Sequence, residues 1–359
     1  MIRASLLPVT STRPCSSLLL ALAGLLLGPA AIAAEQEEET PESAAEEPAE
    51  EPAEEPAEEP AEEPEPIPAA RWTFSDPERP VKVVVLAGSI GAGRTETYHH
   101  DLQAMCARTE FRNLSRTGHA VQGLIEVWQH EVTANGPLKR SRQVLEERWG
   151  LFGGGLNNIG GASHHSAAHY MRKLFLRMRS DGFSVAALSL TPWGDEADSR
   201  WKGAAALDTH KTTLALTRFL LGELSPLQAL GRYNRHRGKD APTDWKAEEL
   251  PDLAVNLYDS RLRDLQAPLQ ETESCRSVLR RSRRWVKKHR RSSDVERAVS
   301  LSRDADELAA MPRWYLRPDL QGFDPIHPNR EGHKIIADLI CPELPESWGC
   351  DCSASPSGS

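Results

Sequence analysis

The sequence contains no Cys-x-x-Cys pair, and beyond its N-terminal region it contains no apolar run long enough to span a bilayer. The missing pair argues against a zinc site. The missing run argues against an integral membrane protein. Six cysteines are nevertheless present, and five of them follow residue 34: Cys106, Cys275, Cys341, Cys350 and Cys352. In an exported protein some of these are expected to pair, and an odd number cannot all pair internally. The last three suggest a local clasp of undetermined connectivity.

Residues 1–34 have the pattern of a secretory signal. Arg3 and Arg13 precede an apolar run from Leu18 to Leu27, and Ala31-Ile32-Ala33 supplies small residues for cleavage. This arrangement predicts an exported protein that is periplasmic, envelope-associated or secreted. An uncleaved membrane anchor is the alternative, which the short run and Pro29 disfavour.

Residues 35–70 contain no Lys or Arg, and residues 35–66 contain 16 Glu and a repeated AEEP unit. Like charges repel along a helix, and a proline at every fourth position removes helix donors. With nothing apolar to bury, the segment is predicted to be an extended, disordered tether. It would connect the protein to the envelope or cell surface, although calcium or cell-wall binding is an alternative function.

The net charge of −9 comes from this tether, because residues 67–359 alone carry about +5. Much of that positive charge lies in CRSVLRRSRRWVKKHRR, within residues 259–312. A secretory signal argues against nucleic acid as a partner. We therefore predict a helical insertion with a solvated basic face, and an anionic polysaccharide or membrane surface stays open as a partner.

The remaining residues predict one domain at 71–345, interrupted by the 259–312 insertion and followed by a tail at 346–359. Short apolar stretches predict strands at Val81–Leu86, Phe111–Leu114, Trp149–Gly153, Phe183–Leu190 and Leu253–Tyr258. Helix-like stretches lie between them, at Tyr98–Arg108, Ala167–Arg179 and Thr209–Leu224. This alternation predicts an α/β protein with a central parallel sheet between two helical layers. Ligands of such sheets bind at the carboxyl ends of the strands.

The first strand is followed by a glycine-rich turn, in VVVLAGSIGAGR. A turn of this kind occurs in three different types of functional site. A phosphate-binding loop requires lysine where this chain has Arg94. A dinucleotide site requires an acid at the end of the second strand, but Asn113-Leu114-Ser115 stands there. The third type of site uses Ser89 as a nucleophile at a tight turn before a helix.

A partner for Ser89 lies near the C-terminus, in GFDPIHPNREGHKIIADLI. Asp324 and His327 are three positions apart, just before a helix-like run. A carboxylate there can hold one imidazole nitrogen, while the other nitrogen takes the serine proton. An ordinary Asx turn beside a surface histidine is the alternative interpretation of this spacing.

The combination resembles the SGNH hydrolases, also called GDSL-type esterases and acetylesterases. DPIHPN is similar to the last conserved block of that family. For the two middle blocks, FRNLSRTG provides Gly118 and LFGGGLNNIG provides Asn157. The resemblance implies a flavodoxin-like three-layer fold and a triad of Ser89, His327 and Asp324. It also implies an oxyanion hole formed by the amides of Ser89 and Gly118 and the side chain of Asn157, with no cofactor and no metal.

Several positions stay open within the resemblance. The first block is Ala87-Gly88-Ser89 where the family has Gly-Asp-Ser. Asn158 replaces the usual aspartate of the third block and competes with Asn157 for the oxyanion role. Trp193 and Asn158 are candidates for the substrate rim, with core packing the alternative for Trp193.

The sequence thus predicts an exported serine esterase whose substrate is a small-molecule or polysaccharide ester, with O-acetylated carbohydrate favoured. A lipid esterase or an O-acyltransferase would use the same residues. A glycan-binding module with impaired catalysis is another alternative, and a dinucleotide oxidoreductase is a third. His165 and His169 have zinc-binding spacing, but no third ligand accompanies them.

Overall fold

The computed structural model describes residues 74–93, 96–134, 146–160, 163–235 and 244–353. The predicted signal segment 1–34 and the tether 35–70 lie outside the described residues, as does Arg94 of the phosphate-loop interpretation.

Five strands form one sheet in the order β2-β1-β3-β4-β5, and each pairs in parallel with its neighbour. The strands are β1 Val81–Ala87, β2 Thr109–Asn113, β3 Glu147–Gly153, β4 Ser184–Leu188 and β5 Leu253–Val255. This is the flavodoxin-like strand order. The predicted α/β class and parallel sheet are therefore confirmed, with every predicted strand present within a few residues of its expected bounds.

Nine α-helices are described. They are α1 Tyr98–Met105, α2 Val121–Trp128, α3 His164–Ser180, α4 Gly203–Leu220, α5 Pro226–Arg235, α6 Thr272–Arg281, α7 Arg283–Lys288, α8 Asp294–Ala309 and α9 Arg330–Ile340. The three predicted helical stretches correspond to α1, α3 and α4. Sequence reasoning missed α2 and α5.

The two faces of β1 bury alternate side chains. Val83 and Val85 pack with α1 and α9, whereas Val84 and Leu86 pack with α2, α3 and α4. Because successive side chains of a strand point to opposite faces, a continuous apolar strand requires cover on both sides. The result is the predicted arrangement of three layers.

Three helices, α6 to α8, occupy the predicted basic insertion. Its cations from Arg280 to Arg291 are exposed, while Trp285 is buried and donates to the carboxylate of Asp304 at 3.0 Å. The helices thus turn one apolar side inward and leave a solvated basic face, as the composition predicts. No described helix has both the length and the apolarity to cross a membrane.

Residues 346–353, which the sequence places in a tail, pack against the domain. Trp348 is fully buried, Cys350 is bonded to Cys106, and Cys352 is bonded to Cys341. The expected local disulfide at the C-terminus is therefore formed by Cys341 and Cys352, whereas Cys350 pairs with a distant cysteine. Cys275 is a free, buried thiol.

Candidate active site

Ser89 lies in a tight turn directly after β1. The amide of Gly91 donates to the Gly88 carbonyl at 3.1 Å and the amide of Ala92 to the Ser89 carbonyl at 3.2 Å. A side chain at Gly91 would bring its Cβ within 2.6 Å of the Ala87 Cβ. Only glycine fits this approach without a shift of neighbouring atoms, which explains the glycine two positions after the serine.

The loop after β2 supports the same turn. The Ser115 hydroxyl accepts from the Ala87 amide at 2.9 Å, and the Asn113 side chain donates to the Gly91 carbonyl at 2.8 Å. Asn113 ends β2, where a dinucleotide site would need an acid. Asn113 instead holds the turn of Ser89, through its side-chain amide.

Asp324 and His327 lie in the loop before α9. Asp324 Oδ1 accepts from the backbone amides of Ile326 and His327, both at 2.8 Å. Asn329 caps α9 by accepting from the Gly332 amide at 3.0 Å. Asp324 and Asn329 thus fix the loop, the first through a local turn and the second as the cap of the helix.

The structure brings Ser89, His327 and Asp324 together in the predicted order. His327 Nε2 lies 2.8 Å from Ser89 Oγ, and His327 Nδ1 lies 2.8 Å from Asp324 Oδ2. All three side chains are half-buried. One imidazole nitrogen faces the hydroxyl and the other faces the carboxylate, which is the arrangement that allows histidine to take a proton from serine.

The carboxylate of Asp324 is held in its charged form. Partial burial acts to raise its pKa, but the backbone amides of His327 and Ile326, together with the imidazole, outweigh burial and lower the pKa below its ordinary value. Asp324 therefore stays ionised at neutral pH and can stabilise an imidazolium.

Asn157 and Asn158 follow β3, and only Asn157 is exposed at the site. The Asn157 side chain donates to the His119 carbonyl at 3.1 Å, and its Nδ2 would lie 3.3 Å from a Cβ at Gly88. Gly118, with a φ of 74°, precedes His119 in the exposed turn before α2. The Asn157 amide group therefore lies beside the turn that contains Ser89.

Asn158 has a different role. It is 3% exposed, its oxygen accepts from the Val121 amide at 3.0 Å, and its nitrogen donates to Gln122 at 2.9 Å. These bonds secure the first turn of α2. Asn158 is therefore not a rim residue, because both ends of its side-chain amide are bonded inside the protein.

Trp193 is not on the rim either. Its side chain has no exposed surface; the Arg200 guanidinium lies 4.5 Å from its ring centroid, and Trp201 packs edge-on at 5.0 Å. An indole enclosed in this way cannot stack on a substrate. Trp193 is therefore a core residue, which was the alternative prediction. The loop after β4 turns this side chain into the core, whereas the sequence was compatible with either a core or a rim position.

The described histidines other than His327 form no recognisable metal site. No group of three or more metal-ligating side chains occurs among the described residues. Burial, together with the nearby His165, lowers the pKa of His164 to about 4, and the His165 ring faces the Ala229 carbonyl at 3.1 Å. Both are explained by packing at the start of α3.

Two features near the triad escaped sequence reasoning. Arg330, which follows DPIHPN, forms an ion pair with the buried Asp101 of α1. Phe323, which precedes Asp324, stacks on the His327 ring with 4.6 Å between centroids. Because both residues flank DPIHPN in the sequence, they could have been expected near His327. Their contacts could not have been predicted, because they depend on the folded structure.

In its sheet order, in the order of its blocks and in the spacing of Asp324 and His327, the chain resembles the SGNH hydrolases as predicted. No protein-family model matches the sequence, and no curated protein matches it.

Similar solved structures do exist. A lipase/acylhydrolase from Enterococcus faecalis is 11% identical, with 77% of this chain and 99% of that chain covered at a TM-score of 0.39. A GDSL-like lipase from Bacteroides thetaiotaomicron is 13% identical, with 72% and 85% covered at 0.38. A catalytic mutant of an acetylxylan esterase from Geobacillus stearothermophilus is 12% identical, with 76% and 95% covered at 0.36. At such low identities, the chemistry of this site has to be inferred from the chain's own residues.

Proposed function

We propose that this protein is an exported serine ester hydrolase of the SGNH type. The observation that carries the proposal is the hydrogen-bonded chain from Ser89 Oγ through the His327 ring to Asp324. Such a chain activates an otherwise weak nucleophile. Two disulfides support export, because such bonds persist in oxidising compartments, and the signal-like N-terminus supports it too.

The reaction is acyl transfer in two steps. Ser89 Oγ attacks the ester carbonyl carbon while His327 Nε2 takes the hydroxyl proton, and a tetrahedral oxyanion forms. When this intermediate collapses, the bond to the alcohol oxygen breaks, and the alcohol leaves with the proton from His327. A water molecule then attacks the acyl-serine, and His327 again takes and returns one proton. The carboxylic acid is released and the Ser89 hydroxyl is restored.

The oxyanion is stabilised by preorganised donors. We assign the Ser89 and Gly118 amides and the Asn157 side chain to this role, at the carboxyl edge of the sheet. The missing aspartate of the first block does not remove a triad member. Gly88 leaves the space beside Asn157 open, since a Cβ there would lie 3.3 Å from its nitrogen.

The favoured substrate is an O-acetyl group on a carbohydrate, carried as a small molecule or as a polysaccharide at the envelope. A lipid ester would use the same triad, and a sugar hydroxyl replacing water would make the protein an O-acyltransferase. Acyl-chain-length profiling and product analysis with an acceptor sugar separate these outcomes.

The first test is covalent labelling of the full-length protein with a fluorophosphonate, read by intact mass and peptide mapping. We expect a single adduct on Ser89 that is lost in His327→Ala. A folded protein that forms no adduct would overturn the proposal. Glycan binding that persists in that case, and in Ser89→Ala, would identify a binding module instead.

A further inference from the structure

Phe323 presents an aromatic ring to solvent beside the catalytic base. Phe323 is 85% exposed, which is the highest value for any large apolar residue in the described part of the chain. One face of the ring lies on the His327 imidazole, with 4.6 Å between centroids and 22° between planes. The opposite face has no described aromatic partner.

The loop that carries Phe323 is tied at several points. The amide of Gly322 donates to the His327 carbonyl at 2.7 Å, and the amide of Asn329 donates to the Leu320 carbonyl at 2.8 Å. At the loop's far side, the Pro325 carbonyl accepts from the Gly194 amide at 3.0 Å. These bonds fix the backbone on both sides of Phe323 relative to His327.

The direction of proton transfer shows which part of the substrate meets this ring. The departing alcohol oxygen receives its proton from His327 Nε2, so the alcohol must lie against the imidazole when the ester bond breaks. The acyl carbonyl, in contrast, lies toward Asn157. A ring stacked on His327 therefore borders the leaving group rather than the acyl group.

We infer that Phe323 binds the leaving group of the ester and selects alcohols that present a flat apolar face, such as the C–H face of a pyranose ring. An aromatic face next to a polar, solvated site suits a sugar, whose C–H groups pack on the ring while its hydroxyls stay in water. This inference rests on the proposed function and narrows its substrate to sugar esters.

A second role for Phe323 has to be separated from this one. An aromatic ring can stabilise an imidazolium by a cation–π interaction, in which case Phe323 acts through His327 as a positioning residue. That role would affect every substrate and every reagent that needs the activated serine. A leaving-group role affects only esters whose alcohol reaches the ring.

The test compares two acetate esters that differ only in the alcohol, an O-acetylated pyranoside and ethyl acetate. For Phe323→Ala we expect kcat/KM for the pyranoside, relative to ethyl acetate, to fall about 3- to 10-fold, chiefly through KM, as loss of one stacking contact implies. Phe323→Trp should retain the preference. Leu265→Ala removes a comparably exposed side chain, at 84%, from the basic insertion and serves as the control.

Fluorophosphonate labelling of the same variants separates the possible failures. Fluoride is too small a leaving group to reach the ring, so the labelling rate reports the serine and histidine alone. An unchanged preference in Phe323→Ala would overturn the inference, as would equal losses with both esters accompanied by slower labelling and a shifted pH profile. A parent protein that neither labels nor hydrolyses esters would overturn the proposed function itself.

Discussion

Arg330, the first residue of α9, donates two hydrogen bonds to the carboxylate of Asp101 in α1. Helix α9 follows the loop that contains His327, and helix α1 follows the turn that contains Ser89. Asp101 is only 3% exposed, whereas Arg330 is about one-third exposed. The ion pair therefore links the helices that follow Ser89 and His327, two residues that lie 238 positions apart in the sequence.

Replacement of Arg330 by alanine should destabilise the protein and slow the chemistry. Asp101 would become a buried carboxylate without its partner, which costs about 2–3 kcal/mol of unfolding free energy when one partner is partly exposed. We expect a lower urea midpoint and slower fluorophosphonate labelling. Arg317→Ala, which breaks the exposed pair with Asp319, is the matched control and should change little. Parent-like values for Arg330→Ala would show that the pair does not hold the site.

The two adjacent asparagines should separate catalysis from stability. Asn157→Ala removes the proposed oxyanion donor and should lower kcat by about 100- to 1000-fold without changing the folded state. Asn158→Ala leaves the Val121 amide and the Gln122 side chain without their partner and should cost about 1–3 kcal/mol of unfolding free energy. Measured kcat and thermal unfolding of both variants check this. The reverse pattern would place the oxyanion donor on Asn158.

A methyl group at Gly91 should distort the nucleophile turn. The new Cβ would lie 2.6 Å from the Ala87 Cβ and 2.8 Å from Ser115 Oγ, so Gly91→Ala should lose about 1–3 kcal/mol of unfolding free energy by overpacking. Labelling of Ser89 should slow as well. Gly231→Ala, in helix α5 with nothing nearer than 3.9 Å to the new Cβ, should be neutral or gain up to about 1 kcal/mol. Equal stabilities for the two variants would contradict the close approach.

The sequence predicted those parts of the site whose signal is local. The apolar run of β1 and the spacing of Asp324 and His327 are short patterns, and the structure brings Ser89 to the same edge of the sheet. The difference between Asn157 and Asn158 needed the structure, because both side chains satisfy the motif. Only burial and the contacts to α2 distinguish them.

Contacts between residues far apart in the chain could not be predicted from the sequence. Trp193 at a strand end is compatible with a rim or a core, and Arg200 and Trp201 enclose it only once the loop is folded. The pairing of Cys106 with Cys350 spans 244 positions, and no spacing rule selects it over other partners. Helix α2 was missed because residues 121–128 follow no clear start signal; Ala120, its N-cap residue, makes no capping bond.

Buried histidines should make the protein lose stability in mild acid. Burial, assisted by the charge of Arg330, lowers the pKa of His333 to about 4, although Asp101 opposes the shift. Burial likewise lowers the pKa of His99 to about 4. The unfolded chain takes up these protons near pH 6.5 and the folded chain only near pH 4, so stability falls as the pH decreases through this window and levels off below it.

His333 allows this acid sensitivity to be tested at one position. Its ring is 9% exposed, stacks on Tyr98, and leaves Nδ1 without a hydrogen-bond partner. In His333→Leu, the difference between urea unfolding free energies at pH 7 and pH 5 should shrink by about 1–2 kcal/mol. The exposed His130, replaced by leucine, is the control and should keep the parent's difference. Identical acid sensitivity in His333→Leu and the parent would show that this imidazole already takes up its proton in the folded protein well above pH 4.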